Sequence, residues 1–392
     1  MTDVLVAGGG PVGLTVALLC AARKLSVTVL EAEPESSVRE GSRAIFLHGA
    51  SLRTLATADP ALAHRVSNSG VTWDGKHTLW AGRTVFRRAY PVRPDRPRPF
   101  TSLSQRDLET ELRLACRTAG VRLVWETPVR QVCVRADEVE VGSGHRGRFL
   151  IGADGARSTV RTAIGTRLSG TRSDASFLVV DVADDPRRPP RGCERVFHYR
   201  HPAVGHRHVL AAPFRGGLRI DLQCRPTDDI ASLTADPAAW IGPLLPGDRP
   251  CEITWTSHYR FRQAVADTFV DAGHRVLLVG EAAHLFAPFG ARGLNSGIAD
   301  ALAAADAVAD SLADRATRAD ALTAYDTARR GAAVRNRLAT GQALHHLLAT
   351  DRLTRTRQRA AALAAPHWAP AGAWLDRIPY GPRDAGIPGG PY

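Results

Sequence analysis

Gly8, Gly10 and Gly13 stand in the spacing G-x-G-x-x-G directly after the apolar run Asp3–Ala7, with Pro11 and Val12 inside the turn. Glycines so spaced permit a tight strand-to-helix turn, close approach of backbone to a pyrophosphate, and close packing of helix on strand. The helix that follows offers N–H groups and the positive end of its dipole. Glu31 ends a second β-rich run, Ser26–Leu30, eighteen residues after Gly13, and Ala32 follows it. An acid there accepts hydrogen bonds from ribose hydroxyls. The combination implies a bound dinucleotide and leaves open whether it is a flavin or a nicotinamide.

Two further segments carry turn chemistry. Ile151-Gly152-Ala153-Asp154-Gly155-Ala156-Arg157-Ser158 reads by itself as a strand end and an Asp-Gly turn. Val279-Gly280-Glu281-Ala282-Ala283-His284 leads into Pro288-Phe289-Gly290-Ala291-Arg292-Gly293-Leu294-Asn295: a strand, an acidic turn, a glycine-rich loop and a helix start. A helix N-terminus of this kind suits an anion or a polarised carbonyl. An ordinary capping loop would share the same composition.

These segments need elements to position them. Leu14–Ala22 has helical composition. Residues 104–119 read as an amphipathic helix with Ser104 as N-cap and Asp107 in the capping-box place. Val121–Trp125, Val129–Val134, Val139–Val141 and Arg148–Gly152 read as strands. From about residue 170 to 260 the texture changes to short alternating runs: Phe177–Val182, Arg195–Tyr199, Val209–Pro213, Leu218–Cys224 and Glu252–Tyr259. Within one of them Leu218, Ile220, Leu222 and Cys224 share a face, while Arg219, Asp221 and Gln223 share the other, as in a half-buried antiparallel sheet. Alternating strands and helices return with a strand at Arg275–Gly280 and helices at Leu294–Leu312 and 319–350. From Pro366 the chain is rich in Pro, Gly and Trp and reads as an extended tail on the surface.

Bulk properties bound the partners. The chain has 392 residues, 44 % of them apolar and 23 % charged, and a formal net charge of +12. That is the make-up of a globular protein with a large core. Arginine carries nearly all of the charge, since lysine occurs only at Lys24 and Lys76. The arginines are spread along the chain with no nucleic-acid-binding module, so the reading is no nucleic acid. Cys20, Cys116, Cys133, Cys193, Cys224 and Cys251 form no C-x-x-C pair, which fits reduced thiols, no metal site and a cytoplasmic location. No run approaches the ~18 apolar residues of a spanning helix, so no membrane association is expected.

Taken together and in this order, the segments resemble the para-hydroxybenzoate-hydroxylase-like, or group A, flavoprotein monooxygenases over residues 3 to 345. The resemblance implies an α/β fold with a discontinuous Rossmann-like FAD-binding domain (1–70, 100–168 and 265–345). An inserted antiparallel β-sheet substrate domain (71–99 and 169–264) and a C-terminal helix and extended tail (346–392) complete it. It implies FAD as cofactor, NADPH or NADH as co-substrate, and molecular oxygen and a small aromatic compound as substrates. Gly8, Gly10, Pro11, Val12 and Gly13 would bind the pyrophosphate, and Glu31 with Ala32 the adenosine ribose. Asp154 and Gly155 would serve both nucleotides. Ser42-Arg43-Ala44 resembles the family's FAD-contacting arginine, and Gln105 with Leu108 and Glu109 its Q-x-x-L-E helix start, with the glutamine at the ribityl chain. Val129 sits where a backbone contact to adenine is usual. Glu281, Pro288, Gly293, Leu294 and Asn295 would hold the ribityl chain and flavin ring, with N–H groups facing the ring's C2 carbonyl. The implied cycle is flavin reduction, oxygen addition to a C4a-hydroperoxide, and hydroxyl transfer to the aromatic ring.

The chain also departs from that family. Glu281 replaces the usual aspartate, which moves the carboxylate by about 1.5 Å, one carbon–carbon bond. The Asn-Leu and Trp-Lys-Leu that usually follow Asn295 are replaced by alanines and aspartates. Asp181, His198, Tyr199, His208 and Arg219 in the inserted sheet are candidate acids, bases or orienting groups, each also readable as a solvated or structurally bonded side chain. His284 reads as structural. Epoxidation, Baeyer–Villiger insertion, an FAD-dependent reductase or oxidase, and a non-catalytic flavin-fold scaffold are the alternatives. The expected assembly is a monomer or homodimer, and natural-product tailoring is one setting for the hydroxylase.

Overall fold

A computed structural model describes residues 2–37, 44–90, 98–142, 144–185, 187, 192–245 and 252–381. The N-terminal βαβ unit forms as the glycine spacing implies. Strand Thr2–Ala7 enters the turn, helix Pro11–Ala22 leaves it, and strand Val27–Leu30 returns beside the first. Val4–Ala7 pair in parallel with Val27–Leu30 on one side and with Phe149–Gly152 on the other. Leu150–Gly152 pair in parallel with Val276–Leu278. Val4, Leu5, Val6 and Ala7 are all buried, as expected of a parallel strand covered on both faces. This is the core of a seven-stranded sheet. Helix Arg292–Ala313 packs on the glycine-turn helix, and its alanines 301, 304 and 305 are buried. Small residues there let the two helices approach closely.

The second sheet has eight strands. Leu178 pairs with Leu222, Val180 with Ile220 and Val182 with Leu218. These side chains form an apolar core beneath the short helices Ile230–Ala235 and Ala238–Ile241. The opposite face carries Phe177, Val179 and Asp181, then Arg219 and Asp221, then Leu210 and Ala212. The alternation read from Leu218–Cys224 is therefore real. The sheet is antiparallel except at one pair: Glu194–Tyr199 run parallel to Gly75–Trp80. These two strands are joined by a long crossover through the seven-stranded sheet rather than by a hairpin, which is what a parallel pair requires.

Three expectations are corrected. The strands expected at Phe177–Val182 and Glu252–Tyr259 extend to Leu168–Ala183 and Glu252–Ala266. The first extension, 168–176, is mostly polar and exposed and is sustained by ladder pairing, whereas the second, 260–266, buries Phe261, Ala264, Val265 and Ala266. Val129 lies in a loop, since only Val132–Val134 of its run is strand. The stretch after Pro366 is not extended as far as it is described: helix Arg352–Ala364 is followed by helix Ala369–Arg377. Pro370 sits in the first turn, where a proline needs no hydrogen bond and suits the helix. A Cβ on Gly372 would come within 1.9 Å of Val85 O, so this helix lies directly on strand Arg83–Ala89. Asp376 forms a buried ion pair with Lys76 and accepts from Thr78 Oγ1 at 2.9 Å.

Among the described residues no helix is long and apolar enough to cross a membrane, and no cluster of His, Cys, Asp and Glu could hold a metal ion.

Candidate cofactor and substrate site

The site grows from two helix starts. At the first, Gly8 has φ +99°, and a Cβ there would lie 2.5 Å from Ala153 O. A Cβ on Gly13 would lie 1.9 Å from Gly8 O. Both positions therefore require glycine. Pro11 opens the helix, and no side chain caps it, which leaves the helix start to an external acceptor. Val12 packs its methyls against Gly280 and Gly297, where added Cβ atoms would meet them at 3.2 and 2.6 Å. That contact brings the glycine turn, the 280 turn and helix Arg292–Ala313 into one cradle.

Glu31 is buried, and its carboxylate accepts from Gly9 N–H at 2.6 Å and Glu33 N–H at 3.0 Å. Two backbone donors thus orient the acid before any ribose arrives, and Ala32 lies between them in sequence. Gln105 opens helix Gln105–Thr118, capped by Ser104, and donates to Glu109 Oε1 at 3.0 Å. Asp154 is committed locally: it accepts from Ser158 Oγ and from the N–H groups of Thr159 and Val160 at 2.7 and 3.1 Å. Gly155, at φ +77°, has open space where a side chain would be. Arg43 lies outside the described residues.

The second helix start is built differently. Gly290 and Ala291 have φ +75° and +52°, and no side chain caps Arg292–Ala313. A Cβ on Gly293 would meet nothing within 4 Å, so the backbone there borders open space. Pro288 is exposed and Leu294 half-buried on either side of it. Asn295 is buried, with its amide fully used. Its Oδ1 accepts from His48 N–H at 2.9 Å and Ser51 Oγ at 2.6 Å. Its Nδ2 donates to Phe46 O at 2.8 Å and Ala291 O at 2.7 Å. One side chain thereby fixes strand Ile45–His48 against the helix start. Arg292 is also buried and donates to Asn336 Oδ1 at 2.7 Å and Tyr380 O at 3.0 Å.

Glu281 is exposed, with protein around its carboxyl. Desolvation by those neighbours pushes the carboxyl above the ordinary range, opposed by His284. Beneath it His284 Nε2 meets Asp300 Oδ2 at 2.6 Å, Gly280 N–H donates to the same oxygen at 3.1 Å, and Arg329 Nε donates to Oδ1 at 2.7 Å. Burial alone would raise the Asp300 carboxyl, but His284 and Arg329 outweigh it and hold it below the usual range. His284 is thus a buried support of the 280 turn.

The candidates in the second sheet separate. Tyr199 is fully buried, with its hydroxyl donating to Leu375 O at 2.7 Å and meeting His346, and burial pushes it well above its ordinary value. His198 accepts from Gly82 N–H at 2.9 Å, and burial, with His201 and His77, lowers it to about 4. His208 touches Leu347 O at 3.0 Å and is lowered to about 3, chiefly by burial. All three are engaged in holding strands and helices together. Arg219 instead pairs with Asp221 at 2.9 Å and reaches Ala44 O at 3.4 Å, on the face turned to the first domain. Asp181 lies on that face and is fully buried.

A buried aromatic cluster packs beside the second helix start. Phe46 stacks on Phe100 at 4.6 Å and meets Trp73 at 5.0 Å. Ala212 and Ala291 pack on the same group. Nothing in the local sequence around Phe46, Trp73 or Phe100 singles out this cluster.

The donor set fits FAD: an uncapped helix start for a pyrophosphate, an oriented acid for a ribose, and open backbone for a ring. Residues 1–338 match the family described as the FAD binding domain. The chain belongs to that family. It is 30% identical over 317 residues to a 3-(3-hydroxy-phenyl)propionate/3-hydroxycinnamic acid hydroxylase of Mycobacterium sp. strain JLS, covering 76% of this chain and 52% of that protein. The chain thus spans about half the length of the curated relatives it matches. Its fold matches p-nitrophenol 4-monooxygenase PnpA from Pseudomonas putida DLL-E4 with a TM-score of 0.78 at 23% identity, over 98% of this chain and 99% of that one. It also matches OxyS anhydrotetracycline hydroxylase from Streptomyces rimosus at 0.69 and 21%, over 97% and 75%. FAD is accordingly the cofactor of this fold, and the α/β architecture with its second sheet is shared with these structures.

Proposed function

We propose that the protein is a monooxygenase that uses FAD and NADH or NADPH to hydroxylate a small phenolic or heteroaromatic substrate. The observation that carries this reading is the meeting of an uncapped helix start, Ala291–Asn295, with the cluster of Phe46, Trp73 and Phe100. Flat apolar walls suit a flat apolar substrate. N–H groups at a helix start suit negative charge on a nearby ring. The hydroxylase and monooxygenase relatives support the same reaction class.

When bound, FAD supplies electron acceptance from the nicotinamide and activation of molecular oxygen. The chain's own residues bind, orient and exclude water. The Gly8–Gly13 turn takes the pyrophosphate, Glu31 and Ala32 the ribose, and Val129 the adenine edge. Gln105, Asp154, Gly155 and Glu281 line the path to the ring, and Arg43 is assigned to FAD by the family resemblance alone. The backbone of Gly293, Leu294 and Asn295 stabilises charge at the ring's carbonyl edge, and Pro288 borders its face. Asp221, oriented by Arg219, takes a hydrogen bond from a phenolic hydroxyl, with Asp181 opposite Arg219 on the neighbouring strand. Withdrawing that proton makes the ring more electron-rich. A cytoplasmic monomer or homodimer, supplied with NAD(P)H, suits this chemistry.

The test is to purify the protein, denature it and identify any released flavin, then assay phenols with NAD(P)H under ¹⁸O₂. Released FAD and one labelled oxygen atom per hydroxylated product are expected. Coenzyme oxidation that yields only peroxide would overturn hydroxylation in favour of an oxidase or reductase. Protein that stays colourless after added FAD would leave the scaffold reading.

A further inference from the structure

Ser102 is fully buried on strand Phe100–Leu103, and its hydroxyl meets no hydrogen-bond partner among the described residues. Its neighbours on the same stretch are spent. Thr101 Oγ1 donates to Ser67 O at 3.2 Å, and Ser104 Oγ accepts from Arg106 N–H at 3.1 Å. The Ser102 backbone is spent as well, since its N–H and carbonyl exchange bonds of 2.8 Å with Val71. The hydroxyl is what remains. A buried hydroxyl without a partner costs free energy, and a ligand that completes its bond is one way a fold comes to keep it.

The strand register places this hydroxyl. Ser102 stands opposite Phe46 on one side and Val71 on the other, and residues side by side in a sheet share a face. Phe100, two residues away, shares that face too. The hydroxyl therefore turns toward the cluster of Phe46, Trp73 and Phe100, against which Val71 and Ala291 pack. Ala212 belongs to the same cluster and stands opposite Arg219, the partner of Asp221. The cluster thus links the acid of the second sheet, the second helix start and an unspent neutral hydroxyl.

We propose that Ser102 Oγ hydrogen-bonds a neutral polar substituent of the substrate, so that the substrate class is an aromatic ring with two hydrogen-bonding groups: a phenolic hydroxyl for Asp221 and a second hydroxyl or a ring nitrogen for Ser102. This rests on the hydroxylase reading of the same site. A serine hydroxyl donates and accepts without carrying charge, so it suits a neutral group of either kind. A site built to bond such a group rejects the analogue that lacks it, because the protein's own polar atom is then left unpaired.

The experiment uses the FAD-loaded chain of residues 1–392. Resorcinol, hydroquinone and 3-hydroxypyridine are titrated against phenol, and binding is read from the perturbed flavin absorbance. At least one of them is expected to bind ~10-fold or more tighter than phenol, the scale of one hydrogen bond that completes a buried group. Ser102→Ala should reduce that preference to ~2-fold or less, while phenol affinity, FAD content and the KM for NADH or NADPH stay unchanged. The same variant should unfold in urea at an unchanged or higher midpoint, because it deletes an unpartnered buried hydroxyl, whereas loss of a structural hydroxyl would lower the midpoint. Ser102→Cys keeps a weak donor and should hold part of the preference, and it serves if the alanine variant does not fold. Equal binding of phenol and all of the other rings by the unmodified protein would overturn the proposal. So would a preference that survives Ser102→Ala, a clearly lower midpoint in that variant, or weaker FAD binding as its only change. A preference for two-group rings that disappears in Ser102→Ala, with no labelled oxygen transferred to any ring, would instead mark failure of the hydroxylase reading while the Ser102 contact stands.

Discussion

The two helix starts that frame the site present the same feature, an uncapped N-terminus beside glycine, and are held in place by opposite means. The start at Pro11 is set by local sterics. Gly13 faces Gly8 O within the turn itself, and Gly8 faces Ala153 O just past the end of the adjoining strand, and neither leaves room for a Cβ. The start at Arg292 is set from a distance. Asn295 ties it to residues 244 to 249 positions away, and Arg292 ties it to Asn336 and to Tyr380. A nucleotide-binding turn can thus be carried by a short segment, whereas the surface offered to the reacting ring depends on three separate stretches folding together.

The largest effect should come from breaking the first start. Gly13→Val places side-chain carbon against Gly8 O, where even a Cβ would stand at 1.9 Å. Overpacking against backbone should cost about 3 kcal/mol or more. No flavin should co-purify, and urea unfolding should shift to a clearly lower midpoint. A variant that retains yellow colour and an unchanged midpoint would mean the turn relaxes freely.

Breaking the second start should cost less stability and more geometry. Asn295→Ala strands Phe46 O and His48 N–H, each worth about 1–3 kcal/mol if left unpaired in a buried place. The expected protein is folded, with FAD bound more weakly and with an altered visible spectrum, since the ring-facing backbone moves and the pyrophosphate turn does not. Equal loss in Gly13→Val and Asn295→Ala would erase the distinction between the two starts.

The smallest effect is a pH dependence under the 280 turn. Asp300 is held below its ordinary value in the folded state by His284 and Arg329. An acid depressed on folding stabilises the protein above its unfolded pKa of about 3.9, and that contribution is lost as pH falls through the lower folded value. Unfolding free energy should therefore drop below about pH 4, on the scale of ordinary carboxylate titration. Asp300→Asn should lower stability at neutral pH and flatten that acid limb. An acid limb as steep as before would assign it to other carboxylates.

Much of the first domain was legible because its causes are short-range. Period, glycine spacing and the Ser104 cap act within a few residues, and the strands and helices around Gly8–Gly13 and 276–313 form where those features place them. The alternation of Leu218–Cys224 was legible for the same reason. The second sheet's parallel pair was not, because pairing between Gly75–Trp80 and Glu194–Tyr199 joins segments over a hundred residues apart and leaves no local mark. The helix at Ala369–Arg377 was hidden by Pro366 and Pro370, which look like breakers but are tolerated before and at a helix start.

By itself the sequence determined that a dinucleotide turn forms at Gly8–Gly13, that Glu31 stands at the end of the adjoining strand, and that a second glycine-rich loop starts a helix near 291. Those follow from glycine spacing, turn chemistry and apolar period, which are properties of neighbouring residues. Only the tertiary structure decided that Tyr199, His198 and His208 are consumed by structural contacts, that Asn295 spends its whole amide on Phe46, His48, Ser51 and Ala291, and that Arg195 is buried against the faces of Trp73 and Tyr380. Whether a polar side chain is spent or available depends on which distant groups reach it, and the fold alone brings those groups together.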